Sequence, residues 1–316
     1  MRLVEKPGMF PPSVLWLNKA SSCWIGVISL VMLLHAHRVD ALRNQNKPNK
    51  SAECEKIINS RAEKSGEIDS PGFPRPYPQN TSCTYIFQGD KSERVRIEFQ
   101  QFDLGPVTKD DIVDEKYPCR TMDKVSVYVH DPGTEEQDKI DDFCGQEIPM
   151  AVMSTGNVMT VQFDGRRNPR KKNKGFRAKF SFLTDFGMSS GDQKADGICE
   201  FTFNSSSMSN GTISSPNFPG YYPRNTRCDF FFFGQDNEIV DFQFKYFDVE
   251  GRPPCTDQEA SDFLEFSNFY SIDRGMPKLC GHQKPKPIAS DSSFFRVTFR
   301  SNHQFDGTGF QVVENA

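Results

Sequence analysis

Long hydrophobic runs are almost missing from these 316 residues; the one stretch of consequence is Trp24–Leu34, WIGVISLVMLL. Spanning a bilayer takes about 20 apolar residues, so this run is too short to cross and has the length of a signal-peptide core. It follows Arg2, Lys6 and Lys19 and is trailed by Ala36, Val39 and Ala41, the small residues that cleavage requires. Residues 1–41 are therefore expected to be signal peptide and leader, and 42–53 an N-terminal segment. No later run could span a membrane, and no hydrophobic tail of a lipid-anchor signal closes the chain. A secreted, extracellular product is the expectation. An excess of basic charge is also missing: 38 Lys and Arg face 42 Asp and Glu, which argues against nucleic acid as partner. Histidine is scarce. Beyond His35 and His37 in the leader there remain His130, His282 and His303, each in a different context. Neither HExxH nor GxSxG occurs, nor a phosphate-binding glycine loop, so no catalytic residue is assigned and no enzyme is expected.

What is present is an internal repeat. Ser70–Cys83 reads SPGFPRPYPQNTSC, and 145 residues later Ser215–Cys228 reads SPNFPGYYPRNTRC. The same offset carries Cys54 to Cys199 and Phe102-Asp103-Leu104 to Phe247-Asp248-Val249. Cys119 and Cys144-Gly145 recur at an offset of 136 as Cys255 and Cys280-Gly281, so the first copy holds about nine extra residues in the acidic stretch GPVTKDDIVDEKYP. Apart from Cys23, which borders the apolar run, eight cysteines remain, four per copy, which points to disulfides and an oxidising compartment. Four cysteines allow three connectivities. Sequential pairing, Cys54–Cys83, Cys119–Cys144, Cys199–Cys228 and Cys255–Cys280, keeps every spacing fixed while the segment between pairs varies. Each such bridge would stabilise its module by roughly 3 kcal/mol.

Helix-period stretches are lacking; the period is two. Val95, Ile97 and Phe99 alternate with Arg94, Arg96 and Glu98, and Phe295, Val297 and Phe299 with Arg296, Thr298 and Arg300. Each copy reads as an all-β module of two antiparallel sheets packed face to face. The boundaries are 54–184 and 199–316, with 185–198, rich in Gly and Ser, expected to be a flexible linker.

The ordered set Ser-Pro, Tyr-Pro, Cys, Phe-Asp-Leu or Phe-Asp-Val, Cys, Asp, Cys-Gly and Gly-Phe resembles the CUB domain, twice over. That resemblance implies two tandem CUB β-sandwiches of jelly-roll-like topology, two disulfides each, whose work is binding. The tail of the first copy, GFRAKFSFLTDFG (Gly175–Gly187), resembles the suppressor-of-lurcher-type proteins of invertebrates, which implies an auxiliary role at a receptor ectodomain such as an ionotropic glutamate receptor. The other expected roles are a secreted regulator of a protease and a fragment of a larger anchored or proteolytic protein. Many CUB modules hold calcium through a Glu after Phe-Asp-Leu, an Asp after the third cysteine and an Asp near the last hairpin. Oxygen ligands from three loops suit a hard cation. In the second copy these positions are Glu250, Asp262 and Asn302. In the first they are Gly105, Asp123 and Arg166, so calcium is expected in the second module only.

Arg166, Arg167, Arg170, Lys171, Lys172 and Lys174 crowd into nine residues that read as a hairpin tip. Such a tip is a candidate patch for heparan sulfate, anionic lipid or an acidic partner, or else a solvated tip balanced by nearby acid or a processing site. Sequons at Asn49, Asn80, Asn204 and Asn210 are candidate glycosylation sites. In Phe230–Phe233 alternation assigns most of the rings to the core and at least one to the surface.

Overall fold

Alternation of residue type becomes alternation of burial. In a computed structural model that describes residues 52–109, 112, 114–130, 136–165, 173–207, 210–255, 261–271 and 274–315, strands such as Thr81–Gln88 and Arg227–Phe233 put every second side chain inside. The leader, Asn49, the tip residues 166–172 and part of the acidic insertion lie outside the described residues.

The first module runs through β1 (Ala52–Asn59), β2 (Ser65–Asp69), β3 (Thr81–Gln88), β4 (Arg94–Asp103), β5 (Lys124–His130), β6 (Gln137–Phe143), β7 (Val152–Met153), β8 (Val158–Gly165) and β9 (Gly175–Leu183). After a short β10 (Asp192–Gln193), the second runs through β11 (Glu200–Asn204), β12 (Asn210–Ser214), β13 (Arg227–Phe233), β14 (Asp241–Asp248), β15 (Phe263–Ser267), β16 (Ile288–Ala289), β17 (Phe294–Arg300) and β18 (Gly309–Asn315). The sheets are ordered β1-β3-β8-β5-β6 and β2-β9-β4-β7 in the first module, and β10-β11-β13-β17-β15 and β12-β18-β14-β16 in the second. Among the strand pairs of the described residues, only β1 with β3 and β11 with β13 form parallel ladders. Even the irregularity repeats, with a register shift between Phe99 and Gln101 in β4 and another between Phe244 and Tyr246 in β14.

The inner faces meet in aromatic cores. Phe87 of one sheet lies 5.3 Å from Phe180 of the other, and Phe232 lies 4.9 Å from Phe242. Two of the four phenylalanines 230–233 are buried; Phe231 is half-exposed and Phe233 is 40% exposed. The four disulfides join Cys54 to Cys83, Cys119 to Cys144, Cys199 to Cys228 and Cys255 to Cys280. Among the described residues no helix is long and apolar enough to cross a membrane.

Composition marked residues 185–198 as a flexible linker, yet in the structure they are laid down on the body of the second module. Phe186 and Met188 are buried in its core, and β10 pairs with β11. Asn217 then stitches across the modules. Its Oδ1 accepts from Arg96 Nε at 2.9 Å, its Nδ2 donates to the Ala151 carbonyl at 3.0 Å, and its own amide donates to the Phe186 carbonyl at 3.0 Å. Tyr221 N also donates to Ala151, and Arg224 Nη1 reaches the Lys139 carbonyl. Apolar side chains buried at this seam outweigh a Gly and Ser content that would leave an isolated segment mobile.

Candidate functional site

The recurring motifs fasten one another at one loop end of each sandwich. The Ser of Ser-Pro meets the Gly of Gly-Phe: Ser70 Oγ accepts from Phe176 N at 3.0 Å, and Ser215 Oγ from Phe310 N at 3.1 Å. Gly175 and Gly309 stand at φ +89° and +84°, and a Cβ on either would sit within 2 Å of that hydroxyl. The Asp of Phe-Asp ties the last hairpin down. Asp103 Oδ2 accepts from Lys174 N at 3.1 Å, and Asp248 Oδ2 from Thr308 N at 2.9 Å. The residue after Cys-Gly caps the other oxygen, Gln146 in the first module and His282 in the second. Leu104 and Val249 bond the backbone of Gly145 and Gly281.

On this frame the Tyr of Tyr-Pro reaches the Asp that follows the third cysteine. Tyr77 Oη donates to Asp123 Oδ2 at 2.8 Å, and Tyr222 Oη donates to Asp262 Oδ2 at 2.5 Å. The tyrosines carry no weight in the sequence reading of the site. Their recurrence inside the repeat was the available signal.

Beyond that pair the modules diverge. In the second, the Glu250 amide donates to Tyr222 Oη at 3.0 Å, and Asn302 N donates to Asp262 Oδ1 at 2.6 Å. Glu250, Asp262 and Asn302 are thus linked through one tyrosine and one carboxylate. The Asn302 side-chain oxygen accepts from Gln304 N at 2.7 Å. Asp262 is fully buried, and burial, with the charges of Glu250 and Asp306, raises its carboxyl to about 7 against the lowering bonds from Tyr222 and Asn302. Among the described residues, Glu250 Oε2 is buried and meets no hydrogen-bond donor. Two crowded carboxylates, one holding an orphaned oxygen, make a cradle whose missing element is positive charge. Among the described residues no group of three or more His, Cys, Asp and Glu side chains could hold a metal ion, so a cation here would need the Asn302 amide oxygen beside Glu250 and Asp262.

In the first module Gly105 stands in place of the Glu, and the space is taken by an amide. Asn173 is buried, its Nδ2 donates to the Leu104 carbonyl at 3.0 Å, and a Cβ on Gly105 would lie 2.6 Å from that nitrogen. Asn173 is a neutral residue within the basic run Arg166–Lys174. Of that run only Asn173 and Lys174 are described, and Lys174 is exposed. Of the sequons, Asn204 and Asn210 are exposed and Asn80 is half-buried at φ +50°.

The family model described as CUB domain matches residues 54–180 and 199–313. Human cubilin is 29% identical over 257 residues, which cover 80% of this chain and 6% of cubilin. Mouse procollagen C-endopeptidase enhancer 2 is 28% identical over 294 residues, 92% of this chain and 62% of that protein. The chain thus spans less than two thirds of the length of either relative. A crystal structure of the MASP-1 CUB2 domain bound to Ca2+ is 26% identical and covers 36% of this chain and 96% of that domain, with a TM-score of 0.31.

Proposed function

Because this chain belongs to the CUB domain family, we propose that it is an extracellular binding protein whose two modules work together as an adaptor or auxiliary factor for a membrane receptor, an ionotropic glutamate receptor being the type the first module's tail points to. The observation that carries a binding role is the cradle of the second module, a set of oxygen donors drawn from three loops and left short of positive charge. Calcium held there by Glu250, Asp262 and Asn302 would supply that charge and draw the three loops together. Tyr222 orients Asp262, and the Asn302 amide fixes the second oxygen of the same carboxylate. The exposed Phe305, on the loop that carries Asn302, then offers a partner an apolar contact beside the site. Bonds across the seam through Asn217 and Arg224 let both modules present their surfaces to one partner.

A second reading is a secreted regulator of a protease. It is favoured by the alignment with procollagen C-endopeptidase enhancer 2 along 92% of this chain.

Two measurements test these readings. Millimolar calcium is expected to raise the melting temperature of the secreted chain, by an amount equivalent to about 2.7 kcal/mol at a hundredfold excess over Kd, and Glu250→Gln is expected to abolish the rise. An unchanged melt in the wild type removes calcium from the proposal. Cell-surface proximity labelling with the secreted chain is expected to mark receptor or channel ectodomains; a yield of matrix proteins and proteases alone overturns the receptor reading and supports the second.

A further inference from the structure

Strand register puts a row of cations on the outer face of the second module's larger sheet. Residues paired across antiparallel strands point to the same side, so Arg227, Arg300 and Phe263 share one rung; Asp229, Thr298 and Glu265 the next; and Phe231, Arg296 and Ser267 the third. The segment after β15 crosses this face and sets Lys278 Nζ 4.1 Å from the centre of the Phe263 ring. Arg227, Arg296, Arg300 and Lys278 therefore converge against two carboxylates, Asp229 and Glu265. Asp229 is already engaged by Arg227 at 2.8 Å and by Thr298 at 2.7 Å.

Two hollows lie along the row. One, of about 160 Å3, is lined by all four cations together with Glu265 and Phe263. The other, of about 330 Å3, shares Arg227 and Arg300 with the first and continues past Asn302 to His303. Arg296 forms part of the floor of the smaller hollow. It is 1% exposed, held by the carbonyls of Tyr270 and Arg274, and among the described residues its Nε is buried without a hydrogen-bond partner. The buried guanidinium of Arg296 thus adds its charge from beneath to a hollow whose described lining is net positive.

The first module supplies the control. Its matching rungs hold Ser82, Asp164 and Lys124, then Thr84, Gln162 and Ser126, then Ile86, Thr160 and Tyr128. The single cation there, Lys124, is paired with Asp142 at 2.7 Å. The positive face is thus a property of the second copy and not of the repeat.

We propose that this face binds a sulfated glycosaminoglycan chain. Arg296 and Arg300 stand four residues apart on one strand, about 13 Å, and the larger hollow extends the track beyond Arg300, so the charges are strung along a line. A compact anion would use one end of it. An extended acidic peptide would gain most from a free strand edge, whereas here the cations stand on the face of the sheet. Sulfate groups spaced along a flexible chain match cations spaced along a strand.

The test is surface plasmon resonance of the secreted chain against a heparin dodecasaccharide, its desulfated counterpart and polyglutamate. Wild type is expected to bind the sulfated chain alone. Arg227→Ala/Arg300→Ala, both exposed positions, is expected to weaken binding tenfold or more and to flatten its salt dependence, with the melting temperature unchanged. Lys278→Ala gives a smaller loss. No binding by wild type, equal binding to desulfated heparin or polyglutamate, or an unaltered double variant overturns the proposal. So does a loss confined to changes at Arg166, Arg167 and Arg170, which would move the site to the basic run of the first module.

Discussion

The two modules keep one tyrosine–aspartate pair and surround it with different chemistry. In the second, Tyr222 and Asp262 stand beside Glu250, whose buried oxygen lacks a donor among the described residues. In the first, Tyr77 and Asp123 stand beside Gly105 and the amide of Asn173. One copy leaves its carboxylates short of positive charge, and the other closes the space with a neutral hydrogen bond. A duplicated scaffold thus separates what the fold needs from what one site needs. Features found in both copies belong to folding, and those found in one belong to function or to the joint between modules.

The severest trial of that division is at a feature both copies share. Gly175→Ala and Gly309→Ala each drive a methyl into a buried serine hydroxyl at a positive φ. Each is expected to cost about 3 kcal/mol in urea unfolding. Hydrogen exchange should show the loss centred on β9 for the first and on β18 for the second. A large loss in one module with little in the other would break the equivalence.

Departures from the repeat carry the opposite information. Within the fourteen-residue motif the copies differ at five places: Gly72 and Asn217, Arg75 and Gly220, Pro76 and Tyr221, Gln79 and Arg224, Ser82 and Arg227. Asn217, Tyr221 and Arg224 bond to the first module, and a Cβ on Gly220 would lie 2.4 Å from the Ala151 carbonyl. Arg227 opens the positive face. Both Gly72 and Asn217 have positive φ, so Asn217→Gly keeps the backbone and removes only the side chain. It is expected to cost about 2 kcal/mol at the seam, since Arg96 and the Ala151 carbonyl lose their partner. Differential scanning calorimetry should then resolve two transitions where the wild type shows closer coupling. Asn173→Ala is expected to cost less, about 1.5 kcal/mol, all of it in the first module, by freeing the Leu104 carbonyl and leaving a small void.

Much of this was legible in the sequence, for physical reasons. Period-two alternation fixes which face of a strand is buried, and the constant offset of 145 aligns the copies residue by residue, so the sandwiches and the matched motifs could be read directly. The Glu250, Asp262 and Asn302 set was legible only through family resemblance. Three residues missed by that reading have plain causes. Tyr77 and Tyr222 act on a carboxylate 46 and 40 residues further along the chain, which spacing alone does not reveal. Asn173 is a neutral residue inside a charged run. The joint was misjudged from composition because Gly and Ser describe a chain in isolation, while Phe186 and Met188 have a core to enter. The alternation Arg296, Thr298, Arg300 was visible from the start, but its meaning depended on Arg227 arriving from a neighbouring strand.

The smallest effect bears most directly on the asymmetry between the cradles. Burial first, then the charges of Glu250 and Asp306, raise the carboxyl of Asp262 to about 7, well above its ordinary range near 4. A raised acid binds its proton more tightly when folded than when unfolded, so between these values the folded state carries the extra proton. The Asp262 contribution to the stability of the calcium-free chain therefore rises as pH falls from 8 to 6, by about 1 kcal/mol. Asp141 and Asp306 are also raised, by burial first. The decisive quantity is accordingly the difference between wild type and Asp262→Asn in calcium-free buffer, read from urea midpoints at pH 6, 7 and 8. That difference should grow with pH, because the variant escapes the cost of ionising a buried carboxyl beside Glu250. Parallel profiles would mean that the cradle already has its compensating charge, and the contrast between the two modules would lose its electrostatic basis.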